Sequence, residues 1–223
     1  TATVTASDGL NSTTQDITVN VTDVAENSSP VFTSSSSFKV AENQTNAAAI
    51  TVTDADSDSI SFSLSGADAD SFAISSSGAL TFNEAPDYEA KESYSLTITA
   101  SDETTSVSQT VSIDISNVNE VPQISALSST QTPNENQASV ITVSASDPDA
   151  STTLTYSVSG TDSSLFAITS SGVLTFSSTP DYETPGDADG DNNYQINVVV
   201  SDNSLSVTQA ITIQVQNVAD LIS

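Results

Sequence analysis

Apolar residues alternate with serine, threonine and other polar residues in short stretches along the whole chain. Residues 60–64 read ISFSL and residues 94–100 read YSLTITA. A period of two places the apolar side chains on one face of a strand. Turn-forming Gly, Asp, Asn and Ser separate these stretches, and no segment of helical length shows the helical period. The pattern predicts an all-β chain with about seven short strands per repeat, which is typical of a two-sheet sandwich.

Several motifs occur more than once in a fixed order. AENQ at 41–44 returns as NENQ at 134–137, APDYE at 85–89 returns as TPDYE at 179–183, and the TASD at 99–102 has counterparts in TASDG at 5–9 and VVSD at 199–202. Such self-similarity is the signature of tandem repeats. We expect two whole repeats, 28–121 and 122–223. Residues 1–27 would be the last two strands of a truncated repeat, which either continues an array or completes a neighbouring chain.

The chain carries 29 acidic and two basic residues in 223, a formal net charge of -27. Nucleic acid and anionic membrane surfaces are therefore poor partners, and a cation is the better one. No run of 18 apolar residues is present, so we expect no membrane insertion. Cysteine, methionine, tryptophan and histidine are absent. Only oxygen ligands remain for a metal, and these suit hard cations such as calcium.

The recurring acids fall at strand ends and in the links between repeats, and strand ends cluster at the two poles of a sandwich. Two bare carboxylates about 4 Å apart repel by roughly 4 kcal/mol at an effective dielectric near 20. Stacking two repeats end to end would therefore need a counterion. The acids that would meet there are Glu42, Asp87, Glu89 and Glu120 from one side and Asp147, Asp149 and Asp202 from the other.

This frame resembles the cadherin repeat, and in particular the cadherin-like domains found in tandem in large bacterial surface adhesins. The resemblance is carried by the AENQ and NENQ glutamates, the TDAD and SDPD pairs, the PDYE acids, the TASD and VVSD acids, and the links TDVAENSSPVF and SNVNEVPQI. It implies tandem Greek-key, immunoglobulin-like sandwiches with Ca²⁺ at the junctions. It also implies an extracellular or cell-surface location.

The resemblance implies three groups of calcium ligands. The second junction would use Glu42, Asp87, Glu89, Asn117, Glu120, Asp147, Asp149 and Asp202. The first junction would keep Asp23, Glu26, Asn27, Asp54, Asp56 and Asp102 and should be incomplete. The C-terminal half-site would consist of Glu135, Asp181, Glu183, Asn217 and Asp220. Both links depart from the family pattern, which predicts fewer ions per junction than the family's three.

The second repeat contains an insertion, DADGDNN, whose three acids alternate along the chain. Alternate oxygens with a glycine between them are typical of looped calcium sites. The twelfth-position glutamate and the flanking helices of an EF-hand are missing. We therefore expect a local metal site formed by Asp187, Asp189 and Asp191, with a solvated turn as the alternative.

These observations predict a calcium-stiffened extender or adhesion module of a secreted or cell-surface adhesin or extracellular fibre, and no enzyme. Its partners would be adjacent repeats of the same or a neighbouring chain. The alternative is a carbohydrate-binding or heterophilic adhesion module whose flank contacts polysaccharide or another cell surface. A glycosidase built on the PDYE carboxylates is the third class, and turnover lost on replacing Asp87 or Glu89 would identify it.

Overall fold

The computed structural model describes residues 1–22, 24, 26–149 and 152–219. Its first eleven strands are β1 (Ala2–Ser7), β2 (Ser12–Ile17), β3 (Val31–Phe32), β4 (Ser37–Ala41), β5 (Asn46–Ala49), β6 (Val52–Thr53), β7 (Ser61–Ser65), β8 (Phe72–Ile74), β9 (Ala79–Phe82), β10 (Ser93–Ser101) and β11 (Ser106–Ser116). The next nine are β12 (Gln123–Ser125), β13 (Thr130–Gln131), β14 (Ser139–Thr142), β15 (Ser144–Ser146), β16 (Thr155–Ser159), β17 (Phe166–Ile168), β18 (Val173–Phe176), β19 (Asn193–Ser201) and β20 (Ser206–Gln214).

Within the described ranges, helical structure is confined to two single 3₁₀ turns, Ala69–Ser71 and Ser163–Leu165. The prediction of an all-β chain is confirmed. No helix in the described part of the chain combines the length and apolar character needed to cross a membrane.

One strand order occurs twice. Four-stranded sheets run β4-β11-β10-β7 and β13-β20-β19-β16, three-stranded sheets run β5-β9-β8 and β14-β18-β17, and two-stranded ladders join β3 to β6 and β12 to β15. Most pairs are antiparallel, whereas β13 runs parallel to β20. The repetition of the whole topology agrees with the tandem sandwich that the sequence motifs predict.

The strands are shorter and more numerous than the seven per repeat predicted from periodicity. The alternation at Ile50 and Val52 predicts one strand through both residues. The chain instead changes sheet after Ala49, so that β5 and β6 on either side of Ile50 lie in different sheets. Ile50 N donates to Gly78 O at 2.8 Å at this step. A Cβ on Gly78 would lie 2.0 Å from Ile50 O, so only glycine fits there.

The described chain divides into two compact units. The first contains Thr1–Phe38, Asn46–Asn83 and Ser95–Ser112, and the second contains Lys39–Thr45, Glu84–Tyr94 and the chain from Ile113 onward. AENQ and the first PDYE motif therefore group with the second unit. The core of the second unit joins both of its larger sheets through residues that are almost inaccessible to solvent, including Leu174, Ile196, Val198 and Ile213.

The first hairpin, β1 and β2, pairs Ala2 with Ile17 and Ser7 with Ser12. The sequence QDITVNVTD predicts the second strand at 15–23, but this strand starts and ends earlier, at Ser12 and Ile17. Val19 and Val21, which should continue it, are 75% and 91% exposed. Their counterparts in β11, Ile113 and Ile115, are buried. The strand is therefore longer in β11, where its apolar residues pack on a core, than in β2, where they do not.

Candidate metal sites

Glu42, directly after β4, is only 3% exposed although it is an acid. Its Oε2 accepts the N–H of Tyr88 at 2.7 Å and its Oε1 accepts the N–H of Val118 at 2.7 Å. One carboxylate therefore fixes the PDYE loop on one side and the link after β11 on the other. Charged hydrogen bonds of this kind offset part of the cost of burying a carboxylate.

Three glutamates meet at this pole. Glu42, Glu89 and Glu120 each offer a carboxylate oxygen, and these oxygens lie within 4.8 Å of one another. Asn117 Nδ2 donates to Glu89 Oε1 at 2.9 Å, which orients that side chain. Burial raises the pKa of Glu89, and the negative charges of Glu42, Asp149 and Glu120 raise it further. The arrangement disfavours three bare charges and suits a divalent cation.

The second group of acids at this pole is tied to the link by main-chain hydrogen bonds. Glu120 N donates to Asp149 Oδ2 at 2.7 Å, and Asp149 N donates to Asp147 Oδ1 at 2.9 Å. The other oxygen of Asp147, Oδ2, is buried and has no hydrogen-bond partner among the described residues. A buried carboxylate oxygen without a donor is costly. A calcium ion would satisfy it, and the surrounding all-oxygen donor set fits that ion.

Asp202, at the turn between β19 and β20, completes this pole. Its Oδ1 accepts the N–H groups of Ser204 and Leu205 at 2.5 and 2.6 Å, and its Oδ2 accepts Asn119 Nδ2 at 2.7 Å. The Leu205 N–H first and the Asn119 amide second lower the pKa of Asp202. Asn119 was missing from the predicted ligands. We call the set Glu42, Glu89, Asn117, Asn119, Glu120, Asp147, Asp149 and Asp202 the Glu42 site.

Asn119 could have been found by aligning the links on their prolines. Pro30 and Pro122 then coincide, which pairs Asn27 with Asn119 and Ser28 with Glu120. The structure bears out this alignment, because Asn27 Nδ2 donates to Asp102 Oδ2 at 2.9 Å in the first unit. The bond repeats that from Asn119 to Asp202.

The first unit contains a similar half-site around Asp54. Ser28 N donates to Asp56 Oδ2 at 2.6 Å, and Asp56 N donates to Asp54 Oδ1 at 2.9 Å. Asp54 Oδ2 is buried and without a hydrogen-bond partner in the described part of the chain, as is Asp147 Oδ2. Asp58, which was not predicted as a ligand, joins Asp54 and Asp56 with one oxygen each inside 4.8 Å. Burial, then the charges of Asp54 and Asp56, raise the pKa of Asp58.

Asp102 belongs to the same half-site and is well supplied with donors. Its Oδ1 accepts the N–H groups of Thr104 and Thr105 at 2.8 and 2.6 Å, and its Oδ2 accepts the Thr105 hydroxyl at 2.8 Å in addition to Asn27. The Thr105 N–H and then the Asn27 amide hold the pKa of Asp102 well below its usual range. The carboxylate is therefore kept charged and available to a cation.

Glu135 forms the C-terminal counterpart of Glu42. It is 4% exposed, and it accepts the N–H groups of Tyr182 at 2.9 Å and Val218 at 2.7 Å. Oxygens of Glu135, Asp181 and Glu183 lie within 4.8 Å of one another. Asn217 Nδ2 donates to Glu183 Oε1 at 2.6 Å, as Asn117 does to Glu89. We call these four residues the Glu135 half-site.

The predicted residues of the insertion also meet. Asp187, Asp189 and Asp191 offer oxygens within 4.8 Å of one another. Burial acts to raise the pKa of Asp187, but the Asp191 N–H and a hydrogen bond with Asp189 outweigh it and leave that pKa lowered. The same hydrogen bond, then burial, raises the pKa of Asp189.

Two predicted ligands, Asp87 and Glu26, are not among the acid clusters that the described residues form. Asp87 uses Oδ1 to accept the N–H of Ala90 at 3.1 Å, and its main-chain oxygen accepts Lys91 N, so it caps its own loop. Glu26 is exposed. Asp23 and Asp220 lie outside the described residues. Their assignment as ligands stays a prediction.

The comparisons with known proteins agree with the fold. The Cadherin domain family model matches residues 36–116 and 128–216. Human protocadherin-24 EC1-2 is 22% identical with a TM-score of 0.56, and the match covers 87% of this chain and 100% of that chain. Its second crystal form is also 22% identical, with a TM-score of 0.60, and the match covers 84% of this chain and 98% of that chain. Mouse cadherin-23 EC22-24 is 28% identical with a TM-score of 0.54, covering 85% of this chain and 65% of that chain. At 22% identity the likeness shows the fold alone. No curated protein sequence matches the chain.

Proposed function

Since the chain belongs to the cadherin family, whose domains are extracellular, non-enzymatic cell-adhesion modules, we propose that it is a calcium-stiffened extender of a secreted or surface-anchored adhesin. A bacterial origin is part of this proposal, because the motifs resemble those of bacterial cadherin-like repeats. The repeats 28–121 and 122–223 would be joined by calcium at the Glu42 site. An array of this kind holds a distal binding tip away from the cell surface.

A single observation carries the proposal: acids of both predicted repeats accept hydrogen bonds from the same link, residues 117–120. Glu42 and Glu89 come from the first predicted repeat, Asp149 comes from the second, and the link residue Glu120 contacts Asp149 through its N–H. A cation held there would be bound by both repeats at once. The buried, unpartnered Asp147 Oδ2 supports an ion at that position.

The donor residues would have different roles towards calcium. Glu42 would supply a preoriented carboxylate because both its oxygens are already fixed by main-chain N–H groups. Asn117 and Asn119 orient Glu89 and Asp202 by hydrogen bonds to the carboxylates. The ion itself supplies the positive charge that these acids lack. Extracellular calcium modules bind at about 0.1 to 1 mM, which sets the concentration range for an experiment.

Small-angle X-ray scattering of the full chain tests the proposal. With several millimolar calcium we expect a longer and narrower distance distribution than with a chelator, because the ion replaces a hinge with a fixed joint. The double variant Glu120→Gln, Asp149→Asn should keep the chelated profile in calcium. A matched control, Asp70→Asn with Asp114→Asn, removes the same charge from exposed positions and should respond like the wild type. Identical profiles for the wild type in calcium and in chelator would refute the proposal.

A further inference from the structure

The loop from Tyr182 to Tyr194 is six residues longer than its counterpart from Tyr88 to Tyr94. Its C-terminal end is nonetheless anchored in the same way. Val215 N donates to Asn192 O at 3.0 Å, as Ile115 N donates to Glu92 O at 2.8 Å. The six extra residues therefore form a longer loop whose C-terminal end is held by the same hydrogen bond as in the shorter loop.

This loop folds around Asp187, which is 8% exposed. Asp187 Oδ2 accepts the N–H of Asp191 at 2.9 Å and its Oδ1 accepts the N–H of Asn192 at 3.3 Å. Gly190 has φ +75°, which lets the chain reverse between them. Asp162 holds the loop from outside, because its Oδ1 accepts the N–H of Ala188 at 2.9 Å. The loop backbone is thus fixed by charged hydrogen bonds.

Three carboxylates converge within this fixed loop, with oxygens of Asp187, Asp189 and Asp191 inside 4.8 Å of one another. Exposed acidic groups also occur without ions, so the convergence is insufficient by itself. An independent feature is needed to indicate a ligand.

Asn192 supplies that feature. The side chain is 8% exposed, and its Nδ2 donates to Tyr182 O at 2.9 Å. A carbonyl needs a donor, so this bond decides which amide atom is nitrogen and which is oxygen. The remaining atom, Oδ1, is buried and has no hydrogen-bond partner among the described residues. The equivalent position in the shorter loop carries the exposed Glu92.

Asn192 and Asp191 line a common cavity of about 390 Å³ together with Tyr182, Gln214, Val215, Gln216 and Asn217. A cavity of this volume has room for ordered water. Calcium takes six to eight oxygen ligands, several of which are commonly waters. A buried acceptor without a donor, in the residue that follows Asp191 and beside a water-sized space, is the environment that a hard cation satisfies.

We propose that this loop is a separate divalent-cation site of the calcium class, formed by the carboxylates of Asp187, Asp189 and Asp191 and by Asn192 Oδ1. The ion would clamp the insertion to the frame at β19. The site does not depend on the Glu42 site, because no ligand is shared.

Glycine resonances provide a direct test. The full chain has seven glycines, of which Gly186 and Gly190 lie in the loop. In a ¹⁵N-glycine-labelled protein titrated with calcium chloride, we expect the Gly190 amide to shift and saturate. Asp189→Asn removes one charged ligand at an exposed position, so it should weaken the affinity read at Gly190 by at least about tenfold. The matched control Asp114→Asn should leave that affinity unchanged.

A second measurement covers the case of a variant that alters the loop itself. Native mass spectrometry at the lowest calcium concentration that saturates the wild-type Gly190 titration should count fewer bound ions on average in Asp189→Asn than in Asp114→Asn, because the weakened site is only partly filled there. Glu42→Gln should leave the Gly190 titration intact, which separates failure of this site from failure of the proposed junction. No saturable Gly190 shift up to 10 mM calcium, roughly tenfold above the weakest extracellular sites, would overturn the proposal. Equal ion counts in the two aspartate variants would do so as well.

Discussion

The Glu42 site and the Glu135 half-site share one frame but differ in what surrounds it. In both, a buried glutamate accepts two main-chain N–H groups, one from the PDYE tyrosine and one from the valine of the following link. In both, an asparagine of the link donates to the last acid of PDYE. A single repeat therefore builds this half of the site from its own loop and link.

The two places differ in the second half of the site. At Glu42 the link continues into Asn119 and Glu120, which bind Asp202 and Asp149 of the second predicted repeat. At Glu135 the link reaches Ala219, the last described residue. The two main-chain bonds to the buried glutamate, which we call the glutamate cage, therefore form within one predicted repeat, whereas the second half of the Glu42 site comes from the following one.

Removing the caging glutamate should have the largest effect. Glu42→Ala leaves two enclosed N–H groups without an acceptor, at about 1 to 3 kcal/mol each, so the free energy of unfolding in chelator should fall by roughly 2 to 6 kcal/mol. Glu135→Ala should cost a similar amount, because its cage is the same. Urea denaturation followed by circular dichroism measures both. Glu42→Gln keeps one acceptor oxygen and should lie between Ala and wild type. A loss below about 1 kcal/mol for either alanine variant would contradict the cage.

Calcium should stabilise the chain mainly through the Glu42 site and less through the Glu135 half-site, although the two glutamate cages contribute alike in chelator. A native-only site saturated a hundredfold above its dissociation constant adds about 2.7 kcal/mol. Glu89→Gln should remove most of this calcium-dependent increase in the free energy of unfolding. Glu183→Gln, the matching change in the Glu135 half-site, should remove a smaller part of it. Thermal unfolding of both variants with and without calcium gives the comparison. Equal losses of the calcium gain would mean that the half-site binds as well as the complete site.

Much of this could be read from the sequence, and the exceptions have physical causes. Strand faces follow from alternation because burial on one face selects apolar residues, and Glu42, Glu89 and Glu120 follow from the repeat frame. Asn119 was missed because an amide that orients a carboxylate carries no charge to mark it. The sheet change at Ile50 was missed because both strands keep the same alternation. The partner of a strand is set by long-range pairing, which periodicity does not encode.

In chelator, the carboxylates of the Glu42 site should affect the pH dependence of stability in opposite directions. Asp202 has a lowered pKa, so its contribution to stability is complete above the unfolded value of 3.8 and is lost as the pH falls through the lower folded value. Glu89 has a raised pKa, so its charge destabilises the folded chain at neutral pH and protonation relieves this as the pH falls towards its folded pKa, above 4.5.

Stability measured in chelator should therefore rise slightly on acidification from neutral pH and then fall below about pH 3.8, where Asp202 begins to lose its advantage. Asp202→Asn should make the acid limb shallower, and Glu89→Gln should reduce the initial rise. Neither limb should vanish, because Asp102 has a lowered pKa and Asp58 and Asp189 have raised ones. Urea titrations at half-unit steps of pH check both limbs. A wild-type profile that falls continuously from pH 7 would contradict the account of Glu89.

The smallest effect should come from the asparagines that follow the two caging glutamates. Asn43 and Asn136 both adopt positive φ, 63° and 60°, which glycine also adopts without strain. Each donates its N–H to the proline oxygen of its PDYE motif, at 3.0 and 2.9 Å, and glycine keeps this bond. Of the two, Asn43 alone forms a side-chain hydrogen bond with a site acid among the described residues, because its Nδ2 donates to Glu120 Oε1 at 3.0 Å.

Asn136→Gly should therefore change the free energy of unfolding by less than about 0.5 kcal/mol, while Asn43→Gly should lose a further 0.5 to 1 kcal/mol, roughly one exposed hydrogen bond. Paired urea titrations in chelator resolve this difference only if both variants are measured side by side. If Asn136→Gly costs as much as Asn43→Gly, the Asn43 contact with Glu120 does not stabilise the chain. The difference between the two places would then lie in the metal ligands alone, since the cages and their following turns would be energetically equal.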